Sequence, residues 1–269
     1  MAVVSLHSAA TGLSALNTQL DVIANNLANI NTEGFKSSRV NFQDLLYQEK
    51  ALPGTENANG DQRPTGLYIG LGVKVSGTEV QFTQGSPIQT GNPLHLYIEN
   101  QGFFQVQVED SKGANGIAYT RAGNFTKNSE GELVLASDQG RRLQPTIQIP
   151  DDALGVQIGE DGQVYVLQPG EAEAQQVGQI ELSVFVNPAG LKQIGENLYV
   201  ETGASGPPQT GTPGDSNFGT IRSGMLEGSN VDPTKELIDL IRTQRAFEMN
   251  SNVIRAADET LRAVGTLRR

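Results

Sequence analysis

Between Leu6 and Ile30 the apolar residues fall at Leu6, Ala9, Leu13, Leu16, Leu20, Ile23, Leu27 and Ile30, in alternating steps of three and four. That rhythm predicts a long amphipathic helix whose stripe repeats every 3.5 residues, the pattern of a coiled-coil type of contact. About 25 residues of such a helix run roughly 38 Å at 1.5 Å per residue. Near the other end of the chain, Asp232-Pro233 reads as an N-cap followed by proline at the first helical position, where its missing N–H does no harm. A second helix is expected to start there. Its Leu240, Phe247, Ile254 and Leu261 recur every seven residues, while Leu237, Ile241 and Val264 widen the stripe. Gln244, Ser251 and Asp258 make it less apolar than the first.

Between these helices the period changes from 3.5 to two. GLYIGLGVKVSGTEVQF, LHLYIENQGFFQVQV, IGEDGQVYVLQ and QIELSVFV are β-branched and aromatic runs bounded by turn residues, and they read as strands. Asp161-Gly162, Asn115-Gly116 and Glu130-Gly131 supply hairpin turns, because glycine accepts the positive φ that tight turns require. Loop character is strongest at Pro53 to Pro64 and at Gly203 to Gly219. The predicted fold class is α+β: long N- and C-terminal helices forming a coiled-coil-like axial domain, a β-rich connecting region and an antiparallel β middle domain. The corresponding boundaries are 1–34 with 232–269 for the helices, 35–90 with 204–231 for the connecting part, and 91–203 for the outer β domain.

One stretch does not fit a helix built only for apolar packing. Residues 24–36 read ANNLANINTEGFK, with Asn25, Asn26, Asn29 and Asn31 in a helical frame, although asparagine competes for nearby backbone groups. Gly34, expected as the left-handed residue that ends the helix, accounts for the last of them. Asp21, Asn25 and Asn29 instead lie at i, i+4 spacing along one edge of the stripe, as residues that hydrogen-bond a neighbouring helix and fix its register would.

Composition narrows the chemistry. The net charge of −11 argues against nucleic acid or an anionic membrane as partner, since both require basic surface. The span from Lys235 to Arg269 carries seven basic and five acidic residues, so the rest of the chain carries 12 basic and 25 acidic, a net of −13. With no cysteine there is neither a disulfide framework nor a thiolate metal site. The first twenty residues lack a basic region and a continuous apolar run, which predicts no cleaved secretory signal and no membrane insertion. Low aromatic content predicts cores of Val, Ile and Leu.

His7 and His95 are the two histidines, one on the first helix and one in an alternating run, and each reads as a half-exposed side chain and not as a catalytic base. The glycines of GLYIGLG lack a following Gly-Lys-Ser/Thr and helix, so they are strand glycines and not a phosphate loop. No cofactor, metal or catalytic set is predicted.

ANNLANINTEGFK resembles the N-terminal signature of the bacterial flagellar rod and hook proteins, the axial family. QGSPIQTGNPLHLYIENQGFFQV, YTRAGNFTKNSEGELV and SNVDPTKELIDLIRTQRAFEMNSNVIRAADETLRAV resemble the family's later blocks in the same order. Within the family the likeness is closest to distal rod members, through the length, NFQDLLYQEKALPGTENANGDQRPTGLYIGLGV and IGENLYVETGASG. The resemblance implies a structural subunit that assembles with itself into a rigid helical tube, shaft and export channel together, with a rod-type insertion near 41–73. It implies partners among proximal rod proteins, the hook protein, the P and L rings, and the type III export apparatus, in a rod that crosses the periplasm. Another axial protein and a secreted β-rich enzyme acting on the cell wall are the alternatives. The residues assigned to assembly and helix packing are Leu6, Leu13, Leu16, Leu20, Ile23, Asn25, Asn26, Leu27, Asn29, Ile30, Gly34, Phe35, Leu237, Leu240, Phe247, Ile254 and Leu261.

Overall fold

A computed structural model describes residues 2–56, 62–113, 116–170 and 173–267; Asn115 and the tip of the Pro53 to Pro64 loop lie outside them, as does the side chain of Val264. The chain divides into two compact units, each assembled from separated stretches of sequence. The first comprises Met1–Ala28, Ser38–Glu79 and Asp232–Arg269, the second Asn29–Ser37 and Val80–Val231.

Unit one contains α1 (Ala2–Ala28), β1 (Ser38–Asp44), β2 (Tyr47–Ala51), β3 (Leu67–Gly70), β4 (Val73–Val80) and α2 (Pro233–Leu267). α2 starts where the Asp-Pro pair predicts: Asp232 Oδ1 accepts the amides of Thr234 and Lys235 at 2.9 and 3.3 Å. β1 pairs with β4, and β2 with β3 in antiparallel register from Tyr47 opposite Gly70 to Ala51 opposite Leu67. α1 ends earlier than expected. After Ala28 the chain turns, with the Asn29 carbonyl accepting the Thr32 amide and the Asn29 side chain accepting the Thr32 hydroxyl, the local bonding by which asparagine competes with helix. Gly34 therefore does not end the helix: it does hold a positive φ of 69°, but six residues beyond α1 and within unit two.

Unit two is antiparallel throughout its described pairings. Its first strands are β5 (Pro87–Gln89), β6 (Leu96–Glu99), β7 (Phe103–Gln107), β8 (Ile117–Thr120), β9 (Phe125–Lys127) and β10 (Leu133–Leu135). β11 (Leu143–Gln144), β12 (Gly155–Ile158), β13 (Gln163–Leu167), β14 (Gln175–Gln179) and β15 (Leu182–Val184) follow. The last are β16 (Lys192–Gly195), β17 (Leu198–Val200), β18 (Gln209–Gly211), β19 (Thr220–Ser223) and β20 (Met225–Glu227). The largest sheet runs β16-β17-β8-β7-β15-β18, with β11 against β7. The Glu130-Gly131 and Asp161-Gly162 turns join β9 to β10 and β12 to β13, with both glycines at positive φ as expected.

The main core of unit two is mostly aliphatic, as the composition predicts, with Leu96, Val106, Leu143, Val164, Leu182, Leu198 and Ile221 among its buried members beside the fully buried Phe104 and Phe125. A second core departs from that expectation. Phe103, Tyr119, Phe185 and Tyr199 cluster with Leu191 and the half-buried Phe82. Their rings meet edge to face, Tyr119 on Phe185 at 4.7 Å and Phe82 on Tyr199 at 5.1 Å, the arrangement that ring quadrupoles favour. Few aromatics suffice when they are gathered in one place, which a composition average does not reveal.

Candidate functional site

In unit one the two helices pack against each other antiparallel. Two contacts fix their register: Asn26 reaches Glu236, and Gly12 lies against Asn250, where a Cβ added to the glycine would sit 3.0 Å from Asn250 Nδ2. Residues 12 and 26 on one helix, and 236 and 250 on the other, are both fourteen positions apart, which is two heptads. On α2 the shielded positions include Glu236, Leu240, Thr243, Phe247, Asn250, Ile254 and Ala257, again in steps of four and three. Leu240, Phe247 and Ile254 are the predicted seam residues. Thr243, Asn250 and Ala257 complete the face and are absent from the sequence reading, because a search for large apolar residues passes over the small and polar ones that let helices approach closely. Gly12 is the matching signal on α1.

The predicted residues of α1 divide by depth. Ile23 is buried; Leu6, Leu13, Leu16, Leu20 and Leu27 are half-buried. Asn25 is exposed, and Asn26 is the asparagine that the fold encloses, at 2 % exposure. Its Nδ2 donates to the Ser38 carbonyl at 2.9 Å and to Glu236 Oε1 at 3.2 Å, while its Oδ1 accepts the Ser38 amide at 3.0 Å. One side chain thus stands in for a strand neighbour of β1 and ties both helices together. Burial holds the Glu236 carboxyl above its ordinary range, with the Asn26 amide pulling the other way.

Much apolar surface of unit one is left open. Leu237, Ile241, Met249, Val253 and Leu261 follow an i, i+4 row of α2 and are 40 to 62 % exposed, so two of the predicted packing residues, Leu237 and Leu261, face outward in the single chain. On β2, β3 and their flanks Leu46, Tyr47, Leu52, Leu67 and Tyr68 are each more than half exposed. A groove of about 620 Å³ beside them is lined by Val4, Ser5, Ser8, Ile69, Val253 and Ala257.

Unit two uses the rest of the asparagine-rich motif. Ile30 is half-buried and Phe35 buried, and Gly34 donates its amide to the Glu227 carbonyl at 2.7 Å. Lys36 is completely buried, with Nζ 2.5 Å from Glu227 Oε1 and 2.8 Å from the Thr83 carbonyl. Glu227 Oε1 also accepts the Gly85 amide at 2.9 Å, and its Oε2 lies 3.5 Å from Arg121 Nη1 without hydrogen-bond geometry. Arg121 is 4 % exposed; it donates to the Ile98 and Asn100 carbonyls and lies 5.5 Å above the Phe103 ring. Burial pulls the Lys36 ammonium and the Arg121 guanidinium below their ordinary values, and Glu227 pulls both back. Asn230 seals the same strand end, accepting the Ser37 amide at 2.7 Å and donating to the Gln81 carbonyl at 2.7 Å. The sequence reading contains none of Lys36, Arg121, Glu227 and Asn230 as site residues. Only the Gly-Phe-Lys ending of the motif signals one of them.

These networks bind parts of the chain to each other. His7 is exposed, and His95 pairs with Thr90 Oγ1 at 2.8 Å. Among the described residues no group of His, Cys, Asp and Glu could hold a metal, and no helix is long and apolar enough to cross a membrane.

Comparison with known proteins gives these surfaces their context. Residues 6–36 match the family described as flagella basal body rod protein, residues 97–166 the flagellar hook protein FlgE/F/G D1 domain, and residues 222–267 the flagellar basal body rod FlgEFG protein C-terminal region. The chain is 47 % identical over 256 residues to the flagellar basal-body rod protein FlgG of Agrobacterium fabrum, covering 95 % of each chain. It is 42 % identical to the FlgG proteins of Caulobacter vibrioides and Buchnera aphidicola from Schizaphis graminum, covering 98 % of this chain and 99 % of theirs. Full-length similarity at this level, with the three family regions in order along the sequence, shows that the chain belongs to the flagellar basal-body rod protein family.

Proposed function

We propose that this chain is the subunit of the distal rod, and that it polymerises through its two terminal helices into a rigid tube that serves as drive shaft and export channel between motor and hook. A rod protein is structural and not an enzyme. The observation that carries the reading is the open apolar surface of unit one. α2 buries one face on α1 and leaves Leu237, Ile241, Met249, Val253 and Leu261 uncovered, and the β2–β3 hairpin exposes leucines and tyrosines in quantity. A lone soluble chain gains nothing from such surface, whereas a repeated head-to-tail contact buries it and builds an open filament.

On this reading residues 1–34 and 232–269 form the axial core, 35–90 and 204–231 the connecting layer, and 91–203 the outer domain. Leu6, Leu13, Leu16, Leu20, Leu27, Leu237 and Leu261 complete their packing against neighbouring copies, Asn25 and Asn29 set register, and residues 41–73 act as a bracket between subunits that keeps the shaft straight. The neighbours are proximal rod proteins, the hook protein and the P and L ring proteins, in a rod that crosses the periplasm after type III export. Deleting residues 46–71, which removes the hairpin and leaves β1 and β4, tests the bracket. Basal bodies imaged by electron cryotomography should then show bent or broken rods. Rods as straight as the wild type would defeat the assignment.

A further inference from the structure

Glu33 to Ser37 belong to no helix or strand, yet Gly34, Phe35, Lys36 and Ser37 are all buried. They end the one stretch of unit two that precedes Val80, and residues 38–79, which separate that stretch from the remainder, belong to unit one. Buried backbone with no helix or sheet of its own must find partners elsewhere. The Glu33 carbonyl accepts Asn197 Nδ2 at 2.9 Å, the Gly34 amide donates to the Glu227 carbonyl at 2.7 Å, and the Phe35 carbonyl accepts the Asn230 amide at 3.4 Å. The Ser37 amide donates to Asn230 Oδ1 at 2.7 Å, and its carbonyl accepts the Gln81 amide at 2.8 Å. Apart from the turn in which the Phe35 amide donates to the Thr32 carbonyl, these partners all lie beyond Val80. The segment thus sits in the body of unit two as a bound peptide sits in a cleft.

The cleft reads its occupant one side chain at a time. Gly34 holds a φ of 69°, and a Cβ there would stand 2.7 Å from the Ala122 amide nitrogen and 2.8 Å from its Cα, so the position takes glycine. Phe35 is buried, and the Lys36 ammonium meets the Glu227 carboxylate and the Thr83 carbonyl.

The rest of unit two is complete without this segment. Strands β5 to β20 pair only with one another, and every described member of both its apolar cores lies between Val80 and Ile221, Phe35 not among them. Charge points the same way. With Lys36 docked, two buried cations face one carboxylate; with it undocked, Glu227 keeps the Gly85 amide at 2.9 Å and Arg121 at 3.5 Å, one charge of each sign. Undocking also lets water reach Glu227, whereas an apolar residue in place of Lys36 would keep the cleft filled and the carboxylate dry. Leaving is therefore tolerable for the cleft, and it returns the ammonium to water.

We propose that Val80–Val231 is a peptide receptor and Glu33–Ser37 its ligand, a Gly-Phe-Lys segment that docks and undocks as one piece while the sheets stay folded. The vacated cleft accepts the same sequence offered by another molecule. None of this rests on the assembly reading above.

The test uses the dilute full-length chain. In native-state hydrogen exchange the amides of Gly34, Ser37, Gln81 and Asn230, which bond across the cleft, should share one opening that leaves the amides of Leu96, Gln107 and Ile180 protected. Exchange of all seven only on global unfolding overturns the proposal. Phe35→Ala in the full chain removes an anchor of the segment and should leave Leu96, Gln107 and Ile180 protected around an emptied cleft; loss of their protection overturns it as well. That variant should bind a fluorescent synthetic peptide of residues 29–39 saturably, and the same peptide carrying Gly34→Ala should not bind. No binding of the first peptide, or equal binding of both, would show that the cleft is no receptor for this sequence.

Discussion

Lys36 Nζ lies 2.5 Å from Glu227 Oε1, with both side chains completely buried and 191 positions apart in the sequence. The pair joins the end of the asparagine-rich motif to the strand that precedes α2, and the Gly34 amide on the Glu227 carbonyl doubles the link. A buried ion pair of this kind adds little over an apolar pair of equal volume, but breaking it strands a charge.

Lys36→Met should therefore destabilise unit two by about 3–5 kcal/mol, because Glu227 would keep only the Gly85 amide and the longer contact with Arg121. Urea unfolding followed by circular dichroism reads the loss. Equal midpoints for wild type and Lys36→Met would show that the pair contributes nothing.

Asn26→Ala removes three hydrogen bonds at once, two of them with the Ser38 main chain. A cost of about 1–3 kcal/mol is expected for leaving those groups unpaired. The local signature is faster amide exchange at Ser38, with Asn17→Ala, at an exposed position of the same helix, as the comparison. Similar exchange in both variants would remove Asn26 from its role.

Glu236 gives unit one a pH dependence of defined sign. Its carboxyl is held above the ordinary value of 4.5, chiefly by burial, so the folded chain binds the proton more tightly than the unfolded chain does. Its contribution is favourable below the ordinary value and is lost as pH rises through the folded one. Glu236→Gln keeps an oxygen for Asn26 and should flatten the stability profile over that window, making the variant relatively more stable toward neutral pH. Parallel profiles for the two proteins, from urea midpoints taken across the window, would rule out Glu236 as the source.

Gly34 and Gly54 separate strain from crowding. Both hold positive φ, at 69° and 77°, but a Cβ on Gly34 would lie 2.7 Å from the Ala122 amide nitrogen, while one on Gly54 meets nothing within 4 Å among the described residues. Gly54→Ala should cost about 1–2 kcal/mol from backbone conformation alone. Gly34→Ala should cost clearly more, and equal thermal shifts for the two would mean that the backbone at Ala122 yields freely.

The regular parts of this fold were legible because their signals are local. Seven-residue recurrence marked both helices, the Asp-Pro pair marked the start of α2, alternation marked strands, and Asp161-Gly162 and Glu130-Gly131 marked hairpins. Each depends on a few consecutive residues and the geometry they share. Sequence blocks also carried the family, since the asparagine-rich motif and the C-terminal block are recognisable without a structure.

What the tertiary structure alone decided is which polar residues go inside. The spacing along the motif singles out Asn25 and Asn29 on one edge of the stripe; the fold instead buries Asn26, because Ser38 and Glu236 come to meet it from 12 and 210 positions away. Lys36, Arg121 and Glu227 read as ordinary surface charges until three distant segments enclose them together. Gly34 was legible as a left-handed residue but not as one placed six residues beyond the helix. The sequence by itself determined the elements, because hydrophobic period and turn chemistry act over a few residues. The partners of buried polar groups are set by chain segments meeting in space, and no local pattern records that.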